Sequence, residues 1–444
     1  MTDCSKQLAF PFFKPARLTA TFDGGSIVSD GGLLLVRQFD EEVRFTESLA
    51  RLIPDPRHPV ILVHPQVELI RQRLFQIIAG YEDCNDASHL RHDPLFKAVV
   101  GRAPEEFPLA SQPTLSRLEN RVSQHLLLDL VDFLVDTFVR SRSQPLSHIT
   151  LDIDPSEART YGDQQLTFFN GHYDSYMYFP QFICDSQTKF LLAPILRPGN
   201  VSATDGAMLL LARVIQRLRF HWPKLRISVR ADSNFSEPNL LNWLEEESIP
   251  FVIGIGENDV LKRLSAPFVQ TVEDRFAATH EPQRSFVSLS YRTQKTWPHP
   301  RRVIVKVEVT RLGTNVRYLI AGRGGRSADL YDWYAQRGGT IEDAIEQLKN
   351  GFEGDRLSCH TFQANAFRLF LHAAAYNLMI LFRERVAVPE LQTADMQTIR
   401  LKLIKVGGRL ERTVRRVWVR LSSSWPFADI FRKAHSALLR TPPG

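Results

Sequence analysis

Apolar and polar positions along the chain alternate in blocks that predict a mixture of strands and helices. The clearest block runs from Ile149 to Asp154, where apolar side chains face one way and the carboxylates of Asp152 and Asp154 face the other, as in a half-buried strand. An acid on the inner strand of a sheet is costly unless something cationic offsets its charge. The chain is therefore expected to bring positive charge to this strand.

The blocks that follow this strand have the order of a mixed α/β core. Strand-like and helix-like runs are predicted at 166–170, 176–184, 190–196, 205–220, 225–231, 237–247 and 250–255. The order of strand, hairpin strands, helix and a strand that ends in an acid, Asp232, is that of a ribonuclease-H-like core. There the first and fourth strands are neighbours, so Asp154 and Asp232 are expected to meet at one end of the sheet.

Changes in composition and pattern predict five regions. They are a mainly helical N-terminal region at 1–147, the two parts of the core at 148–256 and 326–385, a β-rich insertion at 257–325 and a basic C-terminal region at 386–444. The N-terminal helices, predicted at 65–78, 87–100 and 112–139, fit either a small DNA-binding bundle or a scaffold packed on the next domain.

The insertion carries a segment, 291–302, in which aromatic and cationic side chains are interleaved. That composition suits contact with a nucleic-acid strand, because bases stack on aromatic rings and phosphates attract cations. An exposed hairpin would have a similar composition.

Charge is distributed unevenly along the chain. The formal net charge is +6, but residues 400–440 contain eleven Lys or Arg against two acids, which leaves the rest of the chain at −3. Such asymmetry indicates a polyanionic partner, nucleic acid before membrane, or otherwise a solvated helix face.

The cysteines and the apolar runs point to the cytoplasm. Cys4, Cys84, Cys184 and Cys359 lie far apart, which predicts neither a disulfide framework nor a zinc site. The first twenty residues lack a signal-peptide core, and the apolar run 362–382 contains polar residues typical of a buried core helix. We therefore expect a cytoplasmic protein without a membrane partner.

A third acid, Glu342, begins a predicted helix near other chemically useful residues. Helical spacing puts Glu342 and Lys349 on one face, with Tyr334 and Arg337 just before them. Three carboxylates from separate elements, Asp154, Asp232 and Glu342, would suit two-metal phosphoryl transfer with Mg²⁺, a hard ion that prefers oxygen ligands. Alternatively, Thr340 and Asp343 form an N-terminal capping box and Glu342 only complements the helix dipole.

The segment around Glu342 resembles the Y-(2)-R-(3)-E-(6)-K signature of DDE transposases of bacterial insertion sequences, the broad group related to the IS-four family. Tyr334 to Arg337 and Glu342 to Lys349 match its spacing. Four residues, not three, separate Arg337 from Glu342, and one extra glycine accounts for the difference.

Further segments are similar to one branch, the insertion-sequence transposases of the thirteen-eighty group. The matching segments occur in order along most of the chain, at Ser111–Arg117, Leu151–Ser156, Gln164–Gln165, Asn170–Tyr173, Leu196–Asn200, Arg230–Ser233, Ala364–Asn365 and Ala375–Leu378.

The resemblance implies an α/β fold with a ribonuclease-H-like catalytic core, a β-rich insertion, and helical N-terminal and basic helical C-terminal regions. It implies cut-and-paste movement of an element with inverted repeats and dependence on Mg²⁺, for which Mn²⁺ can substitute. Asp154, Asp232 and Glu342 carry over as the catalytic metal ligands. Asp154 is chosen because it precedes Pro155 and Ser156, and Asp152 is the reserve.

The resemblance also implies DNA contacts. Arg337 and Lys349 would hold phosphates beside Tyr334, and Trp297, in the insertion, would stabilise a flipped base as an insertion tryptophan does in related transposases. The partners would be double-stranded DNA, as transposon ends and target, and a second copy of the chain. The expected function is therefore DNA cleavage and strand transfer on the bacterial nucleoid. A nuclease without strand transfer and a non-catalytic DNA-binding protein are the alternatives.

Overall fold

The computed structural model describes residues 7–440 apart from 59 and 61, and these form two compact units. One unit combines 7–116 with 382–440, and the other comprises 117–381. Cys4 lies outside the described residues, and Cys84, Cys184 and Cys359 form no disulfide with one another. Within the described part of the chain, no helix is long and apolar enough to cross a membrane.

The first unit begins with three short strands and five helices. These are β1 (Leu8–Phe10), β2 (Leu18–Ala20), β3 (Ile27–Val28), α1 (Leu33–Val43), α2 (Phe45–Leu52), α3 (Gln66–Ala79), α4 (Ala87–Leu90) and α5 (Pro94–Val100). The helix expected at 87–100 is interrupted because Asp93 starts a new helix, where its carboxylate accepts hydrogen bonds from the amides of Leu95 and Phe96.

Two helices lead to the core strand of the second unit. They are α6 (Gln112–Asn120) and α7 (Gln124–Arg140), followed by β4 (His148–Pro155). The single helix expected at 112–139 is divided here, because Ser123 caps α7 by accepting a hydrogen bond from the amide of Leu126 at 3.3 Å.

The second unit then alternates strands and helices. Its strands are β5 (Ala158–Arg159), β6 (Phe168–Asn170), β7 (Ser175–Tyr178), β8 (Gln181–Asp185), β9 (Leu191–Ile195), β10 (Arg226–Ala231), β11 (Phe251–Ile255), β12 (Gln283–Tyr291), β13 (Arg301–Thr310) and β14 (Gly313–Ala321). Its further helices are α8 (Ala207–His221), α9 (Pro238–Glu246), α10 (Asp259–Thr279), α11 (Ser327–Ala335), α12 (Ile341–Phe352) and α13 (Phe362–Val386), which ends in the first unit.

An eight-stranded mixed sheet organises this unit, in the order β12-β13-β14-β11-β10-β4-β8-β9. β4, β10 and β11 are parallel neighbours, and the remaining pairs are antiparallel. The expectation that the strand at 149–154 lies beside the strand at 225–231 is therefore confirmed. A separate three-stranded sheet has the order β5-β7-β6.

Two expectations for this unit were wrong in detail. The strand expected at 176–184 is broken at Phe179–Pro180, and β7 and β8 belong to different sheets. Proline lacks the amide that a ladder requires, so the chain changes sheets there. The insertion opens with the 21-residue helix α10, and its three strands extend the main sheet.

The C-terminal part of the first unit contains helices and a β-hairpin. The elements are α14 (Pro389–Gln392), α15 (Met396–Ile399), β15 (Gly408–Arg412), β16 (Val417–Leu421) and α16 (Ala428–Leu439). β15 pairs with β16 and β3 in a three-stranded sheet. The basic region, which was expected to be helical, therefore carries part of its charge on a two-stranded ribbon.

Candidate active site at the ends of β4 and β10

The register of β4 and β10 brings two acids to the same edge of the sheet. Asp152 pairs with Arg230 and Ile153 with Ala231, so the next positions along the two parallel strands are Asp154 and Asp232. The carboxylate of Asp232 accepts hydrogen bonds from the backbone amide of Asn234 at 2.9 Å and from its side chain at 3.0 Å. This turn fixes Asp232 beside the end of β4.

Arg337 joins the third acid to the first. Its Nη1 donates to Oδ2 of Asp154 at 2.8 Å, and its Nη2 pairs with Oε1 of Glu342 at 2.8 Å. Arg337 lies in the 3₁₀ turn Gln336–Gly339 immediately before α12. The side chains of Arg337 and Asp154 are only 11% and 14% exposed, whereas that of Glu342 is 52% exposed. The structure thus brings together residues, Asp154 and Arg337, that lie 183 positions apart in the sequence.

The electrostatics of this cluster follow from burial and from the excess of carboxylates. Burial raises the pKa of Asp154 to about 7, aided by the charges of Asp232 and Glu342 and opposed by Arg337. Burial also raises the pKa of Asp232. For Arg337, burial would lower the pKa, but the surrounding Asp154, Tyr334, Glu342 and Asp232 raise it overall. Three carboxylates thus face one guanidinium, and a divalent cation would neutralise the remaining negative charge.

The donor set fits a hard metal ion in its chemistry. Carboxylate oxygens are the ligands that Mg²⁺ prefers. Among the described residues, however, no group of three or more His, Cys, Asp or Glu side chains is arranged to hold an ion. Arg337 occupies one oxygen of Asp154 and one of Glu342. The second oxygen of each carboxylate is not bound by Arg337, and Glu342, which is 52% exposed, has room to turn toward an ion shared with the other acids.

A buried ion pair lies beside the acid cluster, two residues before Asp154 on β4. Asp152 and Arg230 are 0% and 1% exposed, and the guanidinium of Arg230 donates to both oxygens of Asp152, at 2.6 and 2.7 Å. Arg230 also donates to the carbonyl of Trp333, and the hydroxyl of Thr340 donates to Asp152. The pair connects β4 and β10 to the segment that carries Arg337 and Glu342.

The sequence interpretation missed the role of Arg230, although a signal was present. An arginine in the interior of a predicted strand, at the position opposite Asp152 in a parallel register, is the cation that a buried aspartate requires. Asp152, the reserve for the first acid, is held in this pair, whereas Asp154 lies at the edge with Asp232 and Glu342.

The capping-box interpretation of Thr340 and Asp343 was wrong. Thr340 forms no side-chain cap on α12, because its hydroxyl donates to Asp152. Asp343 instead accepts hydrogen bonds from Lys189 at 2.6 Å and from Gln347 at 2.6 Å. The start of α12 is therefore held by the buried pair and leaves Glu342 available to the acid cluster.

Tyr334 and Lys349 flank the cluster. The Tyr334 ring centroid lies 5.9 Å from the guanidinium carbon of Arg337, and burial raises the pKa of Tyr334. Lys349 donates to the carbonyl of Glu157 at 3.0 Å and to the hydroxyl of Ser156 at 3.3 Å, just beyond the end of β4. These contacts place both residues around the three acids, and their roles toward phosphate stay predictions.

Trp297 belongs to a different packing environment. It is 3% exposed, its ring packs edge-on against Tyr291, and the guanidinium of Arg301 lies 4.7 Å from its centroid. Arg301 in turn pairs with Glu245 on α9 at 2.7 Å. A role in base stabilisation would require Trp297 to leave this pocket, and that role stays a prediction.

Comparison with known proteins gives the family. The chain is similar to the piggyBac transposase in the cryo-EM structure of its synaptic complex with hairpin DNA, with a TM-score of 0.43 and 15% sequence identity over 85% of this chain and 79% of that chain. A comparison with curated proteins finds no match. A family model described as transposase DDE domain group 1 matches residues 10–443. Because this match spans nearly the whole sequence, the chain belongs to the transposase DDE domain family.

Proposed function

We propose that this transposase belongs to the thirteen-eighty group of insertion-sequence transposases and moves its element by cutting and pasting. It binds the terminal inverted repeats, hydrolyses a phosphodiester to free a 3′-hydroxyl and uses that hydroxyl to attack target DNA. The observation that supports this proposal is the meeting of Asp154, Asp232 and Glu342, from three separate elements, around Arg337.

Asp154, Asp232 and Glu342 would hold Mg²⁺, or Mn²⁺ in its place, through carboxylate oxygens. When bound, the metal would supply an activated nucleophile and neutralise charge on the reacting phosphate. The hydrogen bonds from Asn234 keep Asp232 in place, so one acid is preorganised by the fold. Glu342, the most exposed of the three, is the acid that adjusts.

Arg337 and Lys349 would position the DNA. A guanidinium presents a planar fork that matches two phosphate oxygens, whereas an ammonium acts as a point charge. Arg337 already binds two carboxylates in this way, so release from Glu342 would free part of its fork for a phosphate. Lys349 is held at the end of β4 by Glu157 and Ser156, beside the acids.

Two DNA ends must be brought together for strand transfer, so we propose a homodimer on double-stranded DNA. The basic region at 386–444 and the N-terminal region at 1–147 would hold this DNA, largely through its backbone.

The test is cleavage of labelled DNA that carries the flanking inverted repeat, with Mg²⁺ or with EDTA. We expect Asp232→Ala and Glu342→Ala to abolish metal-dependent cutting. Glu346→Ala is the matched control, because Glu346 is an exposed acid one turn further along the same helix and should leave cutting unchanged.

The same assay separates the alternatives. Strand-transfer products from pre-cut ends would exclude a nuclease that only cuts. If the wild type binds the DNA and never cuts it, or if both variants cut as well as the wild type, the catalytic assignment is wrong. A non-catalytic DNA-binding protein then becomes the better description.

A further inference from the structure

The basic hairpin, defined as residues 408–421, has two chemically different faces. β15 and β16 pair with Arg409 opposite Arg420 and Glu411 opposite Trp418, and these four side chains share one face. The other face carries Leu410, which is 8% exposed. The ribbon therefore packs against its own unit only at its base, since Arg412 and Val417 on the same face are exposed, and it turns a charged face to solvent.

The base of the basic hairpin is firmly attached. β3 pairs with β15, the amide of Leu410 donates to the carbonyl of Ser26 at 2.8 Å, and the amide of Ser422 donates to the carbonyl of Gly407 at 2.8 Å. Its tip, 413–416, is exposed throughout, and Val414 is 99% exposed. The ribbon thus presents its cations from a defined position.

Charge on the basic hairpin is poorly compensated. It holds five arginines and one glutamate, a net charge of +4, and among the described residues Arg412 alone of these arginines is paired with an acid outside the hairpin, Glu105. Arg409 and Arg420 lie directly opposite each other, and such like-charge pairs destabilise a sheet. Glu411 is the carboxylate between them, at 2.7 Å from Arg420 and 3.5 Å from Arg409. Within the described part of the chain, Arg415 forms no ion pair or ring contact.

An exposed aromatic ring organises this charge. Trp418 is 44% exposed, and the guanidinium carbons of Arg416 and Arg420 lie 5.8 and 5.5 Å from its centroid. Cation–π contacts of this kind hold guanidinium groups in fixed orientations and lower the entropy lost when they bind.

We propose that the outer face and tip of the basic hairpin bind duplex DNA through its phosphates. The four cations of the outer face and tip, Arg409, Arg415, Arg416 and Arg420, are all arginines, whose planar forks match phosphate oxygens better than lysine does. A two-stranded ribbon also fits the major groove of duplex DNA, so arginines on both strands can reach the flanking backbones. A membrane fits less well, because the hairpin exposes three large apolar side chains, Val414, Val417 and Trp418, among four cations of its outer face and tip.

The basic hairpin includes none of the residues of the acid cluster. The hairpin proposal rests on the proposed function only because it takes DNA as the ligand. The ribbon supplies attachment to the duplex without reading its sequence. Binding should therefore be strongly dependent on salt and largely independent of base sequence.

The test measures binding of the full chain to a mixed-sequence duplex of roughly 40 base pairs by fluorescence anisotropy, between about 50 and 200 mM NaCl. Two double variants remove the cations, Arg415→Ala with Arg416→Ala at the tip and Arg409→Ala with Arg420→Ala on the outer face. Each should weaken binding about tenfold or more and reduce the slope of log K against log salt by about 1.8, the value for two lost phosphate contacts.

Lys262→Ala with Arg326→Ala is the matched control. It removes the same charge from exposed positions outside the two regions proposed to hold DNA, where the cations pair with Glu257 and Asp329. The control should change affinity less than about threefold, since exposed ion-paired charges have a small effect. Trp418→Phe should bind better than Trp418→Ala, because a ring remains beneath the guanidinium groups.

Several outcomes would overturn the proposal. They are unchanged binding in both hairpin variants, an equal loss in the control, failure of the wild type to bind duplex DNA, or binding to anionic lipid vesicles without binding to duplex. Circular dichroism of each variant must match that of the wild type.

The catalytic proposal and the hairpin proposal can be disproved independently of each other. Asp232→Ala should bind the duplex normally without cutting, whereas the hairpin variants should recover cutting at high protein concentration. If the wild type binds through the basic hairpin and never cuts, only the catalytic proposal is wrong. If it cuts and the hairpin variants bind normally, only the hairpin proposal is wrong.

Discussion

Asp152 and Asp154 lie two residues apart on one strand and each contacts an arginine, yet their surroundings differ. Asp152 is fully buried and has both oxygens bound by Arg230, with a third hydrogen bond from Thr340. Asp154 contacts Arg337 through one oxygen and has two further acids beside it. One alternating pattern thus supplies both a structural carboxylate, Asp152, and a candidate catalytic one, Asp154. Only Asp154 lies at the end of the strand, where a ligand can reach it.

The largest effect is expected from Asp154→Asn. The amide preserves the size of the side chain and removes the charge that would hold the metal, so metal-dependent cutting should fall by about 10⁴-fold, or roughly 5 kcal/mol. Single-turnover cleavage of labelled DNA measures this. If Asp154→Asn cuts normally while an Asp152 variant folds and does not cut, the assignment of the two acids is reversed.

Arg230→Met should have the largest effect on stability. It leaves Asp152 buried without its partner, which costs about 3–5 kcal/mol. Urea unfolding followed by circular dichroism gives the free energy. Adding Asp152→Leu should recover much of the loss, because an apolar pair replaces an isolated buried charge. If Arg230→Met alone unfolds at the same urea concentration as the wild type, the structural role of Arg230 is contradicted.

The stability of the metal-free protein should fall as pH rises. Asp154 has a pKa of about 7 in the folded protein, well above the ordinary value of 3.8 for an aspartate, so the folded state binds its proton more tightly than the unfolded chain. Stability gained below the unfolded pKa is lost as pH rises toward the folded pKa, and between pH 5 and 8 the loss should be about 2–3 kcal/mol. Urea unfolding at each pH gives the free energy of unfolding, which should change less steeply with pH in Asp154→Asn than in the wild type. The same pH dependence in both proteins would exclude Asp154 as its source.

Thr340→Val should have the smallest effect of this series. It removes the hydroxyl that donates to Asp152 and keeps the shape of the side chain, at a cost of about 1–2 kcal/mol. Thr340→Ser retains the donor and should lose less. Equal destabilisation by both substitutions, measured by urea unfolding, would show that the methyl group matters as much as the hydrogen bond and would contradict this prediction.

Local pattern was sufficient to place the strands that carry the acids. Alternation predicted the strand that ends at Asp154, and an apolar run predicted the strand before Asp232, because both depend on neighbouring residues. The parallel register that brings them together is likewise observed. The assignment of Asp154, Asp232 and Glu342 as metal ligands is still a prediction.

Tertiary contacts decided what the pattern could not. The sequence around Thr340 has the spacing of a capping box. Its hydroxyl does not cap the helix, however, because it donates a hydrogen bond to the buried carboxylate of Asp152. The helix α10 was missed in a region predicted to be β-rich, and Asn258 begins it by accepting a hydrogen bond from the amide of Leu261. The basic hairpin was missed because a run of arginines gives little indication of backbone conformation.

The distance along the chain between Asp232 and Glu342 has a consequence for protein synthesis. A ribosome that adds about 5–20 residues per second needs several seconds or more to pass from one acid to the other. When the ribosome has just passed Asp232, β4 and β10 have been translated, whereas β11, β14 and the helix that carries Glu342 have not. A nascent chain therefore cannot assemble the acid cluster until its insertion has been translated.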